Sequence, residues 1–263
     1  MTDPVRQISV AVLGANGRMG RAVVRLAHEA GMRVVAAIGA ADEGKDVGEL
    51  AGIGAIGTKV TTELLFAGAD VLVDFSSPAI AARAFAACAK QNVAIASGTT
   101  GLEAEALDAL EEAGRSVPVL WEPNMSVGVH VLSALLAAAI AALGPAYDIE
   151  IVETHHRKKV DAPSGTALRL AEVAKAARST STRFVTGRDG KPGARTNDEI
   201  GVLALRGGDV IGDHTAFLFG DGERLELTHR ASNRDLFARG ALRCAAWLIG
   251  KPAGRYRLGD VLA

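Results

Sequence analysis

Ile8-Ser9-Val10-Ala11-Val12-Leu13-Gly14-Ala15-Asn16-Gly17-Arg18-Met19-Gly20-Arg21-Ala22-Val23-Val24-Arg25-Leu26-Ala27 is the stretch whose reading decides the fold. Residues 8–13 are a short, mostly apolar run of the kind that forms a buried strand. Three glycines follow at intervals of three, and residues 21–27 continue as a helix. Strand, glycine turn, helix is the context in which such a turn holds a pyrophosphate. Glycine lets the backbone come close, and the free N–H groups of the helix start face the anion. The pattern is G-x-x-G-x-x-G, with Asn16 where the commoner fingerprint has a second glycine. A tight strand-to-helix connection without a ligand is the alternative.

The next strand, Arg33 to Ile38, ends in Gly39-Ala40-Ala41, and the first acids come later, at Asp42 and Glu43. The generic fingerprint places an acid at this tip to bond the ribose 2′-hydroxyl. Its absence leaves nothing to repel a 2′-phosphate, and Arg18 is available to attract one. NADH and NADPH both stay open. Strands over 69–75, 92–96 and 117–121 alternate with helices over Pro78 to Lys90 and Leu102 to Ala113. This rhythm predicts an α/β fold, a Rossmann-like doubly wound parallel sheet that binds ligands at its strand carboxyl ends. Ser76, Ser77, Gly98, Thr99 and Thr100 stand at two of those ends, although Gly98 to Gly101 also suits a plain tight turn.

After Pro123-Asn124 the rhythm changes. Val127 to Leu143 reads as a long buried helix, at the lower limit of a bilayer span and interrupted by His130 and Ser133. Asp148-Ile149-Glu150-Ile151-Val152-Glu153 follows as a strand ending at Glu153. Then comes His155-His156-Arg157-Lys158-Lys159-Val160-Asp161-Ala162-Pro163, running into Ser164-Gly165-Thr166-Ala167. The cations mark an exposed or anion-facing edge. Ser164 caps a helix whose apolar positions are Ala167, Leu168, Leu170, Ala171, Val173 and Ala174. A helix start with Gly165 in its first turn takes carboxylates closely, and a histidine beside it suits proton transfer near neutral pH. A solvated basic turn is the alternative. No metal site is expected, because adjacent strand histidines diverge and no zinc-ligand spacing is present.

Residues 200–205, 209–219 and 224–231 read as strands joined by hairpin turns at Gly207-Gly208 and Asp221-Gly222. His214 and His229 lie in them and take structural or interface roles. Residues 186–196, rich in glycine and charge, read as a mobile loop, either a lid or a surface loop. Residues 236–249 form a helix. The expected division is a dinucleotide-binding domain over 1–126 completed by 236–263, and an α+β domain with a mixed sheet over 127–235.

Composition sets bounds. The chain has 263 residues, 29 Lys and Arg against 30 Asp and Glu, and a formal net charge of −1, which gives no pull toward nucleic acid or an anionic membrane. Cys88 and Cys244 sit in apolar Ala-rich stretches and read as buried free thiols of a cytoplasmic protein. Met1 to Gln7 lacks the apolar core of a signal peptide.

Several segments in order resemble the bacterial 4-hydroxy-tetrahydrodipicolinate (dihydrodipicolinate) reductase family. They are Gly14 to Arg21, Asp74-Phe75-Ser76-Ser77-Pro78, Gly98-Thr99-Thr100-Gly101, Pro123-Asn124-Met125-Ser126-Val127-Gly128-Val129, and Glu153 through Ala167. The resemblance covers essentially the whole chain and implies roles that spacing does not give. It implies that His155 donates or accepts a proton and Lys159 donates one, and that His156, Gly165 and Thr166 hold the substrate. It implies a cofactor site at Gly14, Ala15, Asn16, Gly17, Arg18, Met19 and Gly20, with the nicotinamide side lined by Gly98, Thr99, Thr100, Glu122, Pro123, Asn124 and Met125. Some members carry an acidic-basic pair where this chain has Gly39-Ala40, so cofactor preference does not carry over. Glu122 stands where a small residue is common.

The implied reaction reduces 4-hydroxy-tetrahydrodipicolinate to tetrahydrodipicolinate with loss of water, using NADH or NADPH, in diaminopimelate and lysine biosynthesis. The implied substrate is a small dicarboxylate and the implied assembly a homotetramer, with nucleic acid and membrane not expected as partners. Hydride added to the ring pushes electrons toward the ring nitrogen, so a proton must arrive there, from His155 or Lys159. The alternatives are a dehydrogenase of another small carboxylate, which gives no reason for the basic histidine segment, and a non-catalytic NAD(P)-sensing protein, which needs neither His155 nor Lys159.

Overall fold

β1 (Ser9–Leu13) is buried along its whole length because its two faces feed two separate cores. The structure is a computed structural model describing residues 6–178 and 181–263; the reading of Met1 to Val5 lies outside the described residues. Val10 and Val12 join one core with α1 (Arg18–Glu29). Ala11 and Leu13 join the other, with α3 (Pro78–Gln91) and α4 (Ala104–Gly114). Helices on both sides explain why this strand is an apolar run and not an alternation.

The strands β2 (Arg33–Ile38), β3 (Val60–Thr61), β4 (Val71–Asp74), β5 (Ala94–Ser97) and β6 (Pro118–Trp121) complete the N-terminal segment, with a short α2 (Val47–Ala51) before β3. The chain returns at its end with α7 (Asp235–Leu248), β12 (Gly254–Tyr256) and α8 (Leu258–Leu262). The sheet runs β12-β6-β5-β4-β1-β2-β3, every neighbouring pair parallel. Strand order reverses direction on either side of β1, the place where such sheets bind ligands. The doubly wound expectation holds, with additions: α2, β3, β12 and α8 are too short to show a period. Asp46 starts α2 by accepting from Gly48 N at 2.8 Å, and it also takes Ile56 N and Gly57 N. Met1–Met125 with Asp235–Ala263 forms one compact unit, and Ser126–Arg234 forms the other.

The second unit contains α5 (Val127–Leu143), β7 (Asp148–His155), α6 (Gly165–Ala177), β8 (Arg183–Val185), β9 (Glu199–Arg206), β10 (Asp213–Gly220) and β11 (Glu223–Arg230). Its mixed sheet runs β11-β10-β7-β9-β8. α5 and α6 cover one face, closing a core of Leu132, Leu136 and Ile140 against Leu170, Ala171 and Ile151. Among the described residues no helix is long and apolar enough to cross a membrane.

Several expectations are corrected here. Gly207-Gly208 is not a hairpin turn, because β7 lies between β9 and β10; β9 pairs with β7 in parallel and β10 pairs with it antiparallel. Asp221-Gly222 does turn the β10–β11 hairpin, with Gly222 at φ 83°. β10 begins at Asp213, not 209; Gly212, just before it, packs against the His155 ring, where a Cβ would sit 3.0 Å from Nε2. β7 runs on through His155. On α6, Leu168 faces outward and the buried positions are Ala167, Leu170, Ala171 and Ala174.

The loop over 186–196, expected to be mobile, is tied to β7 through two of its arginines. Arg188 makes a bidentate pair with Glu150 at 2.8 and 3.0 Å and reaches Glu199 at 2.8 Å. Arg195 binds Asp148 and Glu150 from the same side. Asp148 and Glu150 occupy the face of β7 opposite its buried residues, so this loop lies across the back of the strand.

Candidate active site

In the first unit the glycine turn is built by close contact. Gly14 has φ 78°, and a Cβ on it would meet Phe75 O at 2.4 Å. A Cβ on Gly20 would lie 2.1 Å from Gly14 O, so this glycine lets α1 pack onto the turn. Gly17 caps α1 without a side chain over the first-turn N–H groups. Beside the turn opens a cavity of about 660 Å³ at the carboxyl ends of β1, β2 and β4. A close-approach turn, a helix start facing it and a cavity of this size fit a dinucleotide's phosphates and adenosine half.

Of the seven turn residues, Gly14, Asn16 and Gly17 line the cavity. Ala15 and Gly20 are buried beneath it, Met19 packs on the core, and Arg18 is exposed outside the walls. Gly39 and Ala40, read as the tip of the second strand, are also walls, and the structure adds walls the sequence reading missed: Thr62, Ile80 and Arg83. The spacing of Ser77, Ile80 and Arg83 along α3 was the available signal, since residues three apart share a helix face.

The floor next to the cavity is organised by Asp74, fully buried at the end of β4. It accepts from Ser76 N (2.9 Å), Ser76 Oγ (2.6 Å), Ser97 Oγ (2.6 Å) and Thr99 Oγ1 (2.8 Å). Trp121 Nε1 donates to Thr99 O at 2.9 Å. Four donors on one buried carboxylate fix the turn Gly98-Thr99-Thr100 against Phe75, whose ring a Cβ on Gly98 would strike at 2.4 Å. Glu122, Pro123, Asn124 and Met125 stand outside the cavity walls. Glu122 is buried near Cys244; burial, then this carboxylate, pushes the Cys244 thiol up to about 12. Met125 is buried, and its carbonyl approaches Gly240 so closely that a Cβ there would lie 1.8 Å away.

In the second unit the alternation of β7 puts Glu153 and His155 on the same buried face as Ile149 and Ile151. Glu153 has no exposure and makes four polar contacts with three partners. His155 Nδ1 lies 2.6 Å from Oε2, Arg206 donates through two nitrogens at 2.8 Å each, and Ser164 N donates at 3.0 Å. Burial alone would push this carboxyl's pKa up; Arg206, His155 and the Ser164 amide more than offset it, and the net shift is down. The charge in contact with His155 is therefore a carboxylate and not the basic run. A carboxylate accepts, so Nδ1 carries hydrogen and Nε2 is the nitrogen left for proton exchange.

Ser164 accepts from Ala167 N at 3.2 Å, capping α6, and its Oγ lies 3.2 Å from His214 Nε2. The rings of His155 and His214 meet edge to face at 5.2 Å. Burial, then His155, pushes the His214 pKa down to about 4. Lys159 Nζ is bonded to Asp161 at 2.8 Å, and its N–H donates to His156 O. His156 is half-buried with Nδ1 unpartnered. Gly165 opens α6 with empty space where a Cβ would be, and Thr166 follows half-buried. The structure thus gathers His155, His156, Lys159, Gly165 and Thr166 around the end of β7 and the start of α6. Arg206, which also donates to Asp161 O at 2.7 Å, went unread; a lone arginine ending the apolar run 202–205 was its only mark. Among the described residues no cluster of His, Cys, Asp and Glu could hold a metal ion.

A Rossmann-type sheet with a glycine-turn cavity, and a buried carboxylate–histidine pair beside a helix start, define a nicotinamide-dependent oxidoreductase. Residues 8–125 match the model of the dihydrodipicolinate reductase N-terminus, and residues 128–262 match that of its C-terminus. The chain belongs to the dihydrodipicolinate reductase family. It is 48% identical over 261 residues to the 4-hydroxy-tetrahydrodipicolinate reductase of Anaeromyxobacter sp., covering 97% of each chain. It is 44% identical over 260 residues to that of Acinetobacter baumannii, covering 96% of this chain and 95% of that one. Among solved structures, the dipicolinate-bound dihydrodipicolinate reductase of Paenisporosarcina sp. shares the fold with a TM-score of 0.77 at 24% identity, covering 96% of this chain and 98% of that one. The myo-inositol 2-dehydrogenase of Lactobacillus plantarum aligns with a TM-score of 0.60 at 10% identity, covering 98% of this chain and 94% of that one.

Proposed function

We propose that the chain reduces 4-hydroxy-tetrahydrodipicolinate to tetrahydrodipicolinate, with loss of water, in the cytoplasmic route to diaminopimelate and lysine. The observation that carries the reading is the placement of His155: its Nδ1 is held by a fully buried carboxylate, and it lies beside the start of α6. Gly14, Asn16 and Gly17 would hold NAD(P)H, which would supply the hydride from its reduced nicotinamide.

The chain's own residues do the rest. Gly165, Thr166 and His156 hold the substrate carboxylates, as a helix start and a polar ring suit. Glu153, locked by Arg206 and Ser164, positions His155 so that Nε2 faces the reacting ring. His155 or Lys159 delivers the proton that the ring nitrogen needs, a contribution of about 10²–10⁴-fold. The assembly is a homotetramer built through the substrate unit, a reading supported by the exposed apolar side chains Leu205, Phe219 and Leu225 on its sheet.

The test is oxidation of NADH and NADPH by the purified protein, with substrate generated in place from pyruvate and aspartate semialdehyde by the upstream synthase. Substrate-dependent oxidation is expected. His155→Ala and Lys159→Ala should lower turnover by about 10²-fold or more while nucleotide affinity stays within twofold. Equal loss of nucleotide binding would sink this division of labour. Tight nucleotide binding with no oxidation would favour a sensor or another substrate.

A further inference from the structure

We propose that Arg83 and Asn16 make the nucleotide cavity selective for the 2′-phosphorylated cofactor, NADPH over NADH. The inference rests on the reading of this cavity as the cofactor site. In sheets of this type the ribose 2′-position is met at the tip of the second strand, where a carboxylate selects the free hydroxyl and repels a phosphate. Here the tip is Gly39-Ala40, and the space is taken: a Cβ on Gly39 would lie 2.3 Å from Asn16 Oδ1 and 3.2 Å from Val60 Cγ1. The Asn16 amide lies where the selecting side chain would begin. Its backbone is held by Arg21 Nε, which donates to Asn16 O at 2.9 Å.

The first acids beyond the tip are engaged elsewhere. Asp42 is bonded to Lys45 at 2.7 Å and lies 3.5 Å from Arg21; Glu43 accepts from the Thr62 hydroxyl at 3.4 Å and is not a wall residue. Among the described residues lining the cavity, Arg83 alone is charged. It projects from the second turn of α3, on the face it shares with Ile80, is exposed, and has no ion-pair partner among the described residues. A guanidinium there matches a phosphate monoester bidentately and meets only a neutral hydroxyl on NADH. Arg18, which directly follows the turn's second glycine, is not a wall residue.

The test is calorimetric titration of the full-length protein with NADPH and with NADH, without substrate. The native protein should bind NADPH about tenfold or more tightly than NADH. Arg83→Ala should remove most of that ratio and Arg83→Lys should restore part of it. Arg83 is an exposed helix residue, so the variants keep the native melting curve. Asn16→Gly combined with Gly39→Asp should invert the ratio toward NADH. Equal native affinities, or an Arg83→Ala protein that keeps the ratio, would overturn the inference and leave the cofactor reading standing. Binding of neither nucleotide would overturn both.

Discussion

His214 is the residue through which acid reaches the interior of the second unit. It is buried, its Nε2 faces Ser164, and its pKa in the folded protein is about 4 against an ordinary 6.5. The folded state keeps it neutral while the unfolded chain takes up a proton. Its stabilising contribution is therefore whole above about pH 6.5 and is lost as pH falls toward 4, a change of about 3 kcal/mol. Urea unfolding from pH 7 to pH 4 should show this slope, and His214→Gln should flatten it; an unchanged slope would refute the assignment. Glu153, whose folded pKa is depressed, acts only from the bottom of that window downward, because its contribution is lost as pH drops under its ordinary 4.5. The sequence displayed both residues without their depth. Glu153 reads as one more acid in an alternating strand, and only the parity it shares with Ile149 and Ile151 sends it inward. Arg206, far along the chain, is what makes that burial tolerable, and no local pattern announces such a partner.

Among the elements, β7 carries two chemistries on two faces. Its inner face ends in Glu153 and His155; its outer face holds Asp148 and Glu150 under Arg188 and Arg195. Gly201 on β9 leaves room for the Glu150 carboxylate, since a Cβ there would lie 1.8 Å from Oε2. Glu150→Ala removes the shared partner of both arginines. It should cost about 1–2 kcal/mol and speed hydrogen exchange across 186–196, leaving α6 protected. Unchanged exchange in that loop would show that its ion pairs do not hold it. The long periodic elements, α1, α5 and α7, were legible from apolar spacing. The strand order of the second unit was not, because Gly207-Gly208 looks like any hairpin turn, and only pairing across β7 separates β9 from β10.

At the scale of the molecule, the alternation of the first 121 residues announced the parallel sheet, but not its far edge. That edge is β12, paired with β6 through Gly254, Arg255 and Tyr256 and followed by α8, which buries Leu258 and Val261. Ending the chain after Gly250 removes both elements. Each buried apolar side chain is worth roughly 1.5–3 kcal/mol, so the loss should reach about 3 kcal/mol or more. The truncated protein should lose exchange protection along β6 and bind NADPH more weakly, even though every residue of the glycine turn is still present. Native-like protection of β6 would contradict this.

The discontinuous first unit also sets a timetable. A ribosome making this chain finishes residues 126–234, one uninterrupted stretch with its own core, while the sheet begun at Ser9 still lacks its last strand and the cover of α7. The sheet is begun before residues 126–234 and finished after them, and until residues 235–256 are made the open hydrogen-bonding edge of β6 waits for a partner.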